Sequence, residues 1–134
     1  MTYQPRELEP GVLAAGQMTV DDLARAADAG VRTVVCHRPD GEEPGQPDAG
    51  TLRDQAEALG LTFVHAPVSG MPGEEAVERT AGALGGRGDI LLFCRSGMRS
   101  TVAWALARRM EGADADELRA RAMAAGYDLS RVPL

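Results

Sequence analysis

The sequence predicts a single α/β domain over residues 1–134, with a mostly parallel central sheet of about four to five strands and helices on both faces. Three observations predict it. Short β-branched or apolar runs alternate with longer stretches of helical pattern. The run "DILLFC" (residues 89–94) is almost wholly apolar, as a strand buried on both faces requires. No internal repeat or linker interrupts the alternation.

The elements read in order as follows. "GVLAAGQM" (11–18) reads as a short edge strand and turn. "TVDDLARAADAG" (19–30) is a helix in which Thr19 caps the first turn, Asp22 completes a capping box and Gly30 closes the end. "VRTVVCH" (31–37) is a strand, and "RPDGEEPGQPDAG" (38–50) is too rich in proline, glycine and acids to be anything but loop. A second helix follows at 51–60, a strand at 61–68 and a turn at 69–73. The third helix (74–86) opens on Glu74 and Glu75, where the macrodipole favours acids. The strand 89–94 leads into a fourth helix (98–112) with Arg108 and Arg109 near its end, and a fifth helix spans 114–126.

Net charge is −6, which argues against nucleic-acid binding. All 14 basic residues are arginine, so any anion site must use arginine forks or backbone N–H groups. The first ten residues lack the apolar core of a secretory signal, and no apolar run reaches membrane-spanning length. Two cysteines form no disulfide framework, so the expectation is a cytoplasmic protein with free thiols and no membrane contact. The His and Cys spacings fit no zinc pattern; neither metal nor organic cofactor is expected. His65 reads as a strand residue satisfied by a backbone group, His37 as a loop contact and Trp104 as core.

The chemistry concentrates in "CRSGMRS" (94–100). Ligands of parallel sheets bind beyond the carboxyl ends of strands, where Cys94 lies. Gly97 permits a positive φ, so the amides of Arg95, Ser96, Gly97 and Met98 can form an anion-binding loop. The helix N-terminus and the planar fork of Arg99 add to that field, which favours a thiolate nucleophile at Cys94. A purely structural cysteine would not explain two arginines in one tight turn.

This loop resembles the active-site loop of rhodanese sulfurtransferases and, less closely, the signature loop of cysteine-dependent protein phosphatases. From "GVLAAGQM" through "GYDLS" the chain resembles the phosphatase-like domain of beta-lactamase-hydrolase-like proteins, also catalogued as a sulfur transferase family. The stretches that carry this are "AAGQMTVDDL", "VVCHRPDGEEPGQP", "FVHAPV", "FCRSGMRST" and "AAGYDLS". The resemblance implies a dual-specificity-phosphatase-like fold with Cys94 as nucleophile, and Arg99 and the loop amides as anion binders. It implies that Ser100 hydrogen-bonds the thiolate or the leaving sulfur, and that Arg38 lies on a loop beside the pocket. Cys36 stands where the family motif commonly has asparagine. By the resemblance its strand neighbours that of Cys94, which makes Cys36 a candidate resolving thiol or, equally, a small core residue.

Phosphatases of this type have five residues between cysteine and arginine, whereas four separate Cys94 from Arg99, as in rhodanese loops. The shorter ring suits a single sulfur better than a phosphate. Ser69 and Gly70 also stand where a phosphatase would keep its general-acid aspartate; Asp40, Glu74 and Glu75 are the substitutes in the sequence. On these grounds sulfur transfer through a Cys94 persulfide ranks first, from thiosulfate or a persulfide to a thiol acceptor. Hydrolysis through a phosphocysteine ranks second, and an idle anion-binding or redox-sensor module third. Family members can be joined to metallo-hydrolase-like domains, so a separate persulfide-handling protein of that type is an expected partner. The acid-rich loop, with Arg38 and Asp40, reads as a pocket rim or lid.

Overall fold

The computed structural model describes residues 3–134. Five strands, β1 (Arg6–Glu9), β2 (Val12–Ala15), β3 (Val31–Cys36), β4 (Thr62–His65) and β5 (Asp89–Phe93), form one sheet. Its order is β1-β2-β5-β3-β4. β1 pairs antiparallel with β2, and the other pairings are parallel. Five helices complete the chain: α1 (Val20–Asp28), α2 (Ala49–Ala58), α3 (Glu74–Leu84), α4 (Met98–Met110) and α5 (Ala115–Ala124).

The predicted elements are present, with instructive differences. The strand at "GVLAAGQM" is not an edge, because β1 covers its outer side. β1 escapes the hydrophobic pattern because Leu8 alone among its four residues is buried. What fixes it is pairing with β2 and an ion pair from Glu9 to Arg108 of α4. α2 starts two residues before Thr51, because Asp48 caps it by accepting from the Thr51 N–H at 2.9 Å. The α1 capping box is formed as expected, Thr19 and Asp22 each accepting from the other's N–H.

The sheet is buried on both faces, and the alternation along β5 divides the core in two. Ile90 and Leu92 face α3, α4 and α5, where Trp104, Val77, Leu118 and Leu129 pack. Leu91 and Phe93 face α1 and α2, where Leu23, Ala26, Leu52 and Ala56 pack. Parallel connection then does the positioning. Ala15, Cys36, His65 and Phe93 end their strands along one rim of the sheet, and the loops that follow carry Gln17, His37, Val68 and Cys94. Among the described residues no helix is long and apolar enough to cross a membrane.

Leu92 is wholly buried in this core. Leu92→Ala should cost about 2–5 kcal/mol, read as a lower urea midpoint at unchanged slope.

Candidate active site

The Cys94 loop is fastened to the end of β2. The Cys94 N–H donates to Ala15 O at 3.3 Å, and Gln17 N–H to Arg95 O at 3.2 Å. Gly16 belongs at that crossing, since a Cβ there would lie 3.1 Å from Arg95 O. Gly97 then turns the chain with φ 97° and serves as the N-cap of α4. Its N–H donates to Cys94 Sγ at 3.0 Å, the sort of bond that charge on the acceptor strengthens. Of the four loop amides expected to form a ring, the Gly97 N–H is the one that meets the sulfur. The Met98 N–H instead meets Ser96 Oγ at 3.3 Å. Cys94 is fully buried, whereas Arg95 and Ser96 form an exposed rim. That rim borders a cleft of about 270 Å³, also lined by Arg6, Gln17 and Tyr127.

Arg99 reaches back over the loop. Its Nη1 donates to Glu42 Oε2 at 2.7 Å and to Val68 O at 2.8 Å, and its Nη2 to Glu42 Oε1 at 2.9 Å. A guanidinium has five N–H donors. Three are used here, which leaves Nε–H and one Nη2–H, the neighbouring edge of the fork, for a ligand. Glu42 above all, and then the Cys94 sulfur, hold the Arg99 charge in place. Glu42 is in turn pinned by Arg99 and by Arg38, whose hydrogen bonds hold its carboxyl down to about 2.

Arg38, read from the sequence as a pocket residue, is a buried anchor with 1% exposure. Its Nε donates to Glu42 at 2.7 Å, Nη1 to Gln17 Oε1 at 2.9 Å and Nη2 to Glu43 at 2.8 Å. Burial is affordable because both charge and donors are met. Asp40 is not on the pocket: its carboxylate accepts the Ala49 N–H at 2.8 Å and braces the loop against α2. The acid loop is therefore drawn onto the site by two arginines, with Glu42 as the shared anion.

Ser100 departs from expectation. Its Oγ lies 2.8 Å from His37 Nδ1, and His37 Nε2 lies 2.8 Å from Thr80 Oγ1. His37 is not a loop contact but fully buried, and burial pushes its pKa down to about 3. His65 satisfies its Nε2 on the Arg38 carbonyl at 2.9 Å, as anticipated. Cys36 pairs in register with Phe93 and packs in the α1–α2 half of the core. Its thiol lies 3.6 Å from the Arg38 carbonyl, and burial pushes its pKa up to about 11. That arrangement fits the small core residue. Among the described residues no cluster of three or more potential ligands is arranged to hold a metal ion. Glu42, Gln17, His37 and Tyr127 were not singled out as site residues; "AAGQMTVDDL", "VVCHRPDGEEPGQP" and "AAGYDLS" contain them, without showing what they touch.

Tyr127 Oη donates to Ser96 O at 3.1 Å, and a Cβ at position 97 would collide with its ring and hydroxyl. Gly97→Ala should therefore cost the left-handed torsion, about 1–2 kcal/mol, plus the clash. Adding Tyr127→Ala should relieve the clash and recover only part of the lost melting temperature. Both His37 and Glu42 bind protons more weakly folded than unfolded. Stability should therefore fall as pH drops below 6.5 towards 3 on account of His37, and below 4.5 towards 2 on account of Glu42. Urea midpoints across that range should show both, and Glu42→Gln should flatten the lower part alone.

Known proteins place this geometry. The family model for the beta-lactamase hydrolase-like protein, phosphatase-like domain, matches residues 5–113. The beta-lactamase hydrolase-like protein of Xylella fastidiosa strain Temecula1 is 34% identical over 120 residues, covering 87% of this chain and 28% of that protein. The chain thus spans under a third of the curated relatives it matches. A chain of Neisseria meningitidis Z2491, named provisionally as a phosphatase, superposes with TM-score 0.80 at 33% identity, over 94% of this chain and 91% of its own. TpbA of P. aeruginosa, solved in complex with pTyr, shares the fold at TM-score 0.62 and 15% identity, over 96% and 82% of the two chains. The fold is that of the dual-specificity and protein-tyrosine phosphatases, and the chain belongs to the beta-lactamase hydrolase-like protein phosphatase-like domain family.

Proposed function

We propose that the protein is a cysteine-dependent phosphatase acting on phosphate monoesters with a weakly basic, aryl-type leaving group. The observation that carries this is the open edge of the Arg99 fork beside the Cys94 sulfur. Two parallel N–H donors suit two oxygens of a tetrahedral anion, and the Gly97 turn supports the nucleophile. Cys94 Sγ attacks phosphorus, the S–P bond forms, and the P–O ester bond breaks with its electron pair on the leaving oxygen. Water then attacks the phosphocysteine, releasing phosphate and restoring the thiolate. The relationship to phosphatases supports this order of ranking over the one drawn from loop spacing alone.

The leaving-group class follows from the carboxylates. Glu42, held near 2, is ionised at neutral pH and has no proton to give. Asp40 is committed to the Ala49 N–H and Glu75 to Arg79, and Glu74 lines a separate cavity with Pro72, Leu106, Met110 and Leu134. A leaving oxygen must depart with little proton assistance, which aryl oxides do far better than alkoxides. The phosphotyrosine bound by TpbA is an ester of that class.

Sulfur transfer is the second reading, favoured by the four residues between Cys94 and Arg99. There the thiolate attacks the outer sulfur of thiosulfate, sulfite leaves with the electron pair, and the Cys94 persulfide passes its sulfur to a thiol. One assay pair decides. Purified protein should release phosphate from an aryl phosphate, and Cys94→Ser should lower that rate by a factor on the order of a thousand or more. Thiocyanate from thiosulfate and cyanide, with no phosphate release, would reverse the ranking.

A further inference from the structure

The cleft beside the nucleophile loop takes no part in the steps above. It holds about 270 Å³, and its walls include Arg6 and Arg95, Tyr3 and Tyr127, Gln17 and Asp22. The chain has two tyrosines, and both are here. Sites for drug-sized ligands run from about 300 to 1,000 Å³. This one is slightly smaller, the size for a single ring with a short acidic arm.

Among the described residues neither Arg6 nor Arg95 makes an ion pair. Arg6 is nevertheless held in place. Its Nη1 donates to Ala125 O at 3.2 Å, which uses one of its five N–H donors. A Cβ at Gly126 would lie 2.7 Å from that Nη1, so the glycine leaves room for the guanidinium. Arg95 follows the nucleophile directly and is exposed. Asp22, the one carboxylate on the wall, is already engaged: Oδ2 accepts from Thr19 N–H at 3.0 Å and Oδ1 from Arg25 at 3.2 Å. Two cations on one cavity repel each other unless an anion lies between them.

The walls of the cleft also touch the reacting centre. Tyr127 Oη donates to Ser96 O at 3.1 Å and lies against Gly97, whose N–H meets Cys94 Sγ. Burial above all raises the Tyr127 pKa, while Arg6 lowers it and Cys94 raises it, so one hydroxyl lies within reach of both. Gln17 Oε1 accepts from Arg38 at 2.9 Å, and Glu43 is held below its usual range by Arg38 first and by Arg95 after it. The cleft thus borders the network that aims Arg99. We propose that it is a second anion subsite, which takes an acidic group carried on the aromatic body of the substrate. The guanidinium forks of Arg6 and Arg95 bind the acid, and the two tyrosines flank the ring. This deepens the phosphatase reading, on which its kinetic test rests, and names the substrate class: aryl phosphates with a second acidic group.

The test pairs kinetics with binding. Phenyl phosphates carrying a carboxymethyl group at the meta or para position are compared with phenyl phosphate, since that group hardly alters the phenol as a leaving group. The better of the two acids should exceed phenyl phosphate about fivefold in kcat/KM, through a lower KM. Arg6→Gln should bring that ratio close to one, and Arg6→Lys, which keeps the charge but not the fork, should retain part of it. A variant that merely loosened the fold would slow both substrates alike and leave the ratio in place. A ratio near one in the wild type, or one that survives Arg6→Gln, overturns the inference. Binding is read separately, from the ring signals of isotopically labelled Tyr3 and Tyr127. The product-like para-hydroxyphenylacetate should shift them, its neutral amide should not, and Arg6→Gln should abolish the shifts. No shift from the acid, or equal shifts from acid and amide, overturns the inference. This arm needs no reaction, so it decides even if no aryl phosphate is hydrolysed, whereas hydrolysis without preference for the acid overturns the subsite alone.

Discussion

The buried guanidinium of Arg38 is the interaction on which the site depends. Its three nitrogens hold Gln17 from the end of β2 and Glu42 and Glu43 from the acid loop, while its carbonyl receives His65 from the end of β4. Three segments distant in sequence are thereby set at one rim of the sheet. Without Arg38, Glu43 would lose its counter-charge and Glu42 one of its two arginines. Lysine would not serve, for its ammonium is a point charge and cannot bind three acceptors lying in a guanidinium plane.

Glu42 carries that order to the chemistry. It occupies one edge of Arg99 and so turns the other edge toward the ligand. On the proposed function, positioning of Arg99 is thus separated from binding of the anion. One carboxylate shared by two arginines links a loop that looks mobile in sequence, with its prolines and glycines, to the loop that bears the nucleophile.

Most of the architecture was legible because it rests on periodicity: β5 is apolar at every position but its first, and α1 carries its cap in its own sequence. β1 was not, since pairing and the contact of Glu9 with Arg108 fix it rather than burial. In the site, the placing of Cys94, Gly97 and Arg99 at one strand end and helix start was legible because it is local to one loop. The partners that Asp40 and Ser100 take, Ala49 and His37, were not legible because they lie 9 and 63 residues away. Spacing likewise ranked sulfur above phosphate, yet spacing measures only the ring and not the Glu42 clamp that aims Arg99.

The clamp also changes how the site is seen from a distance. Arg38 and Arg99 are matched by Glu42 and Glu43 within one contact network, in a chain of net charge −6. Such a quartet projects little field beyond a few ångströms, and the rest of the molecule repels anions rather than gathering them. On the proposed function, encounter with an anionic substrate therefore gains nothing from long-range attraction. Discrimination falls to the last few ångströms of approach, where shape and the direction of two N–H bonds matter.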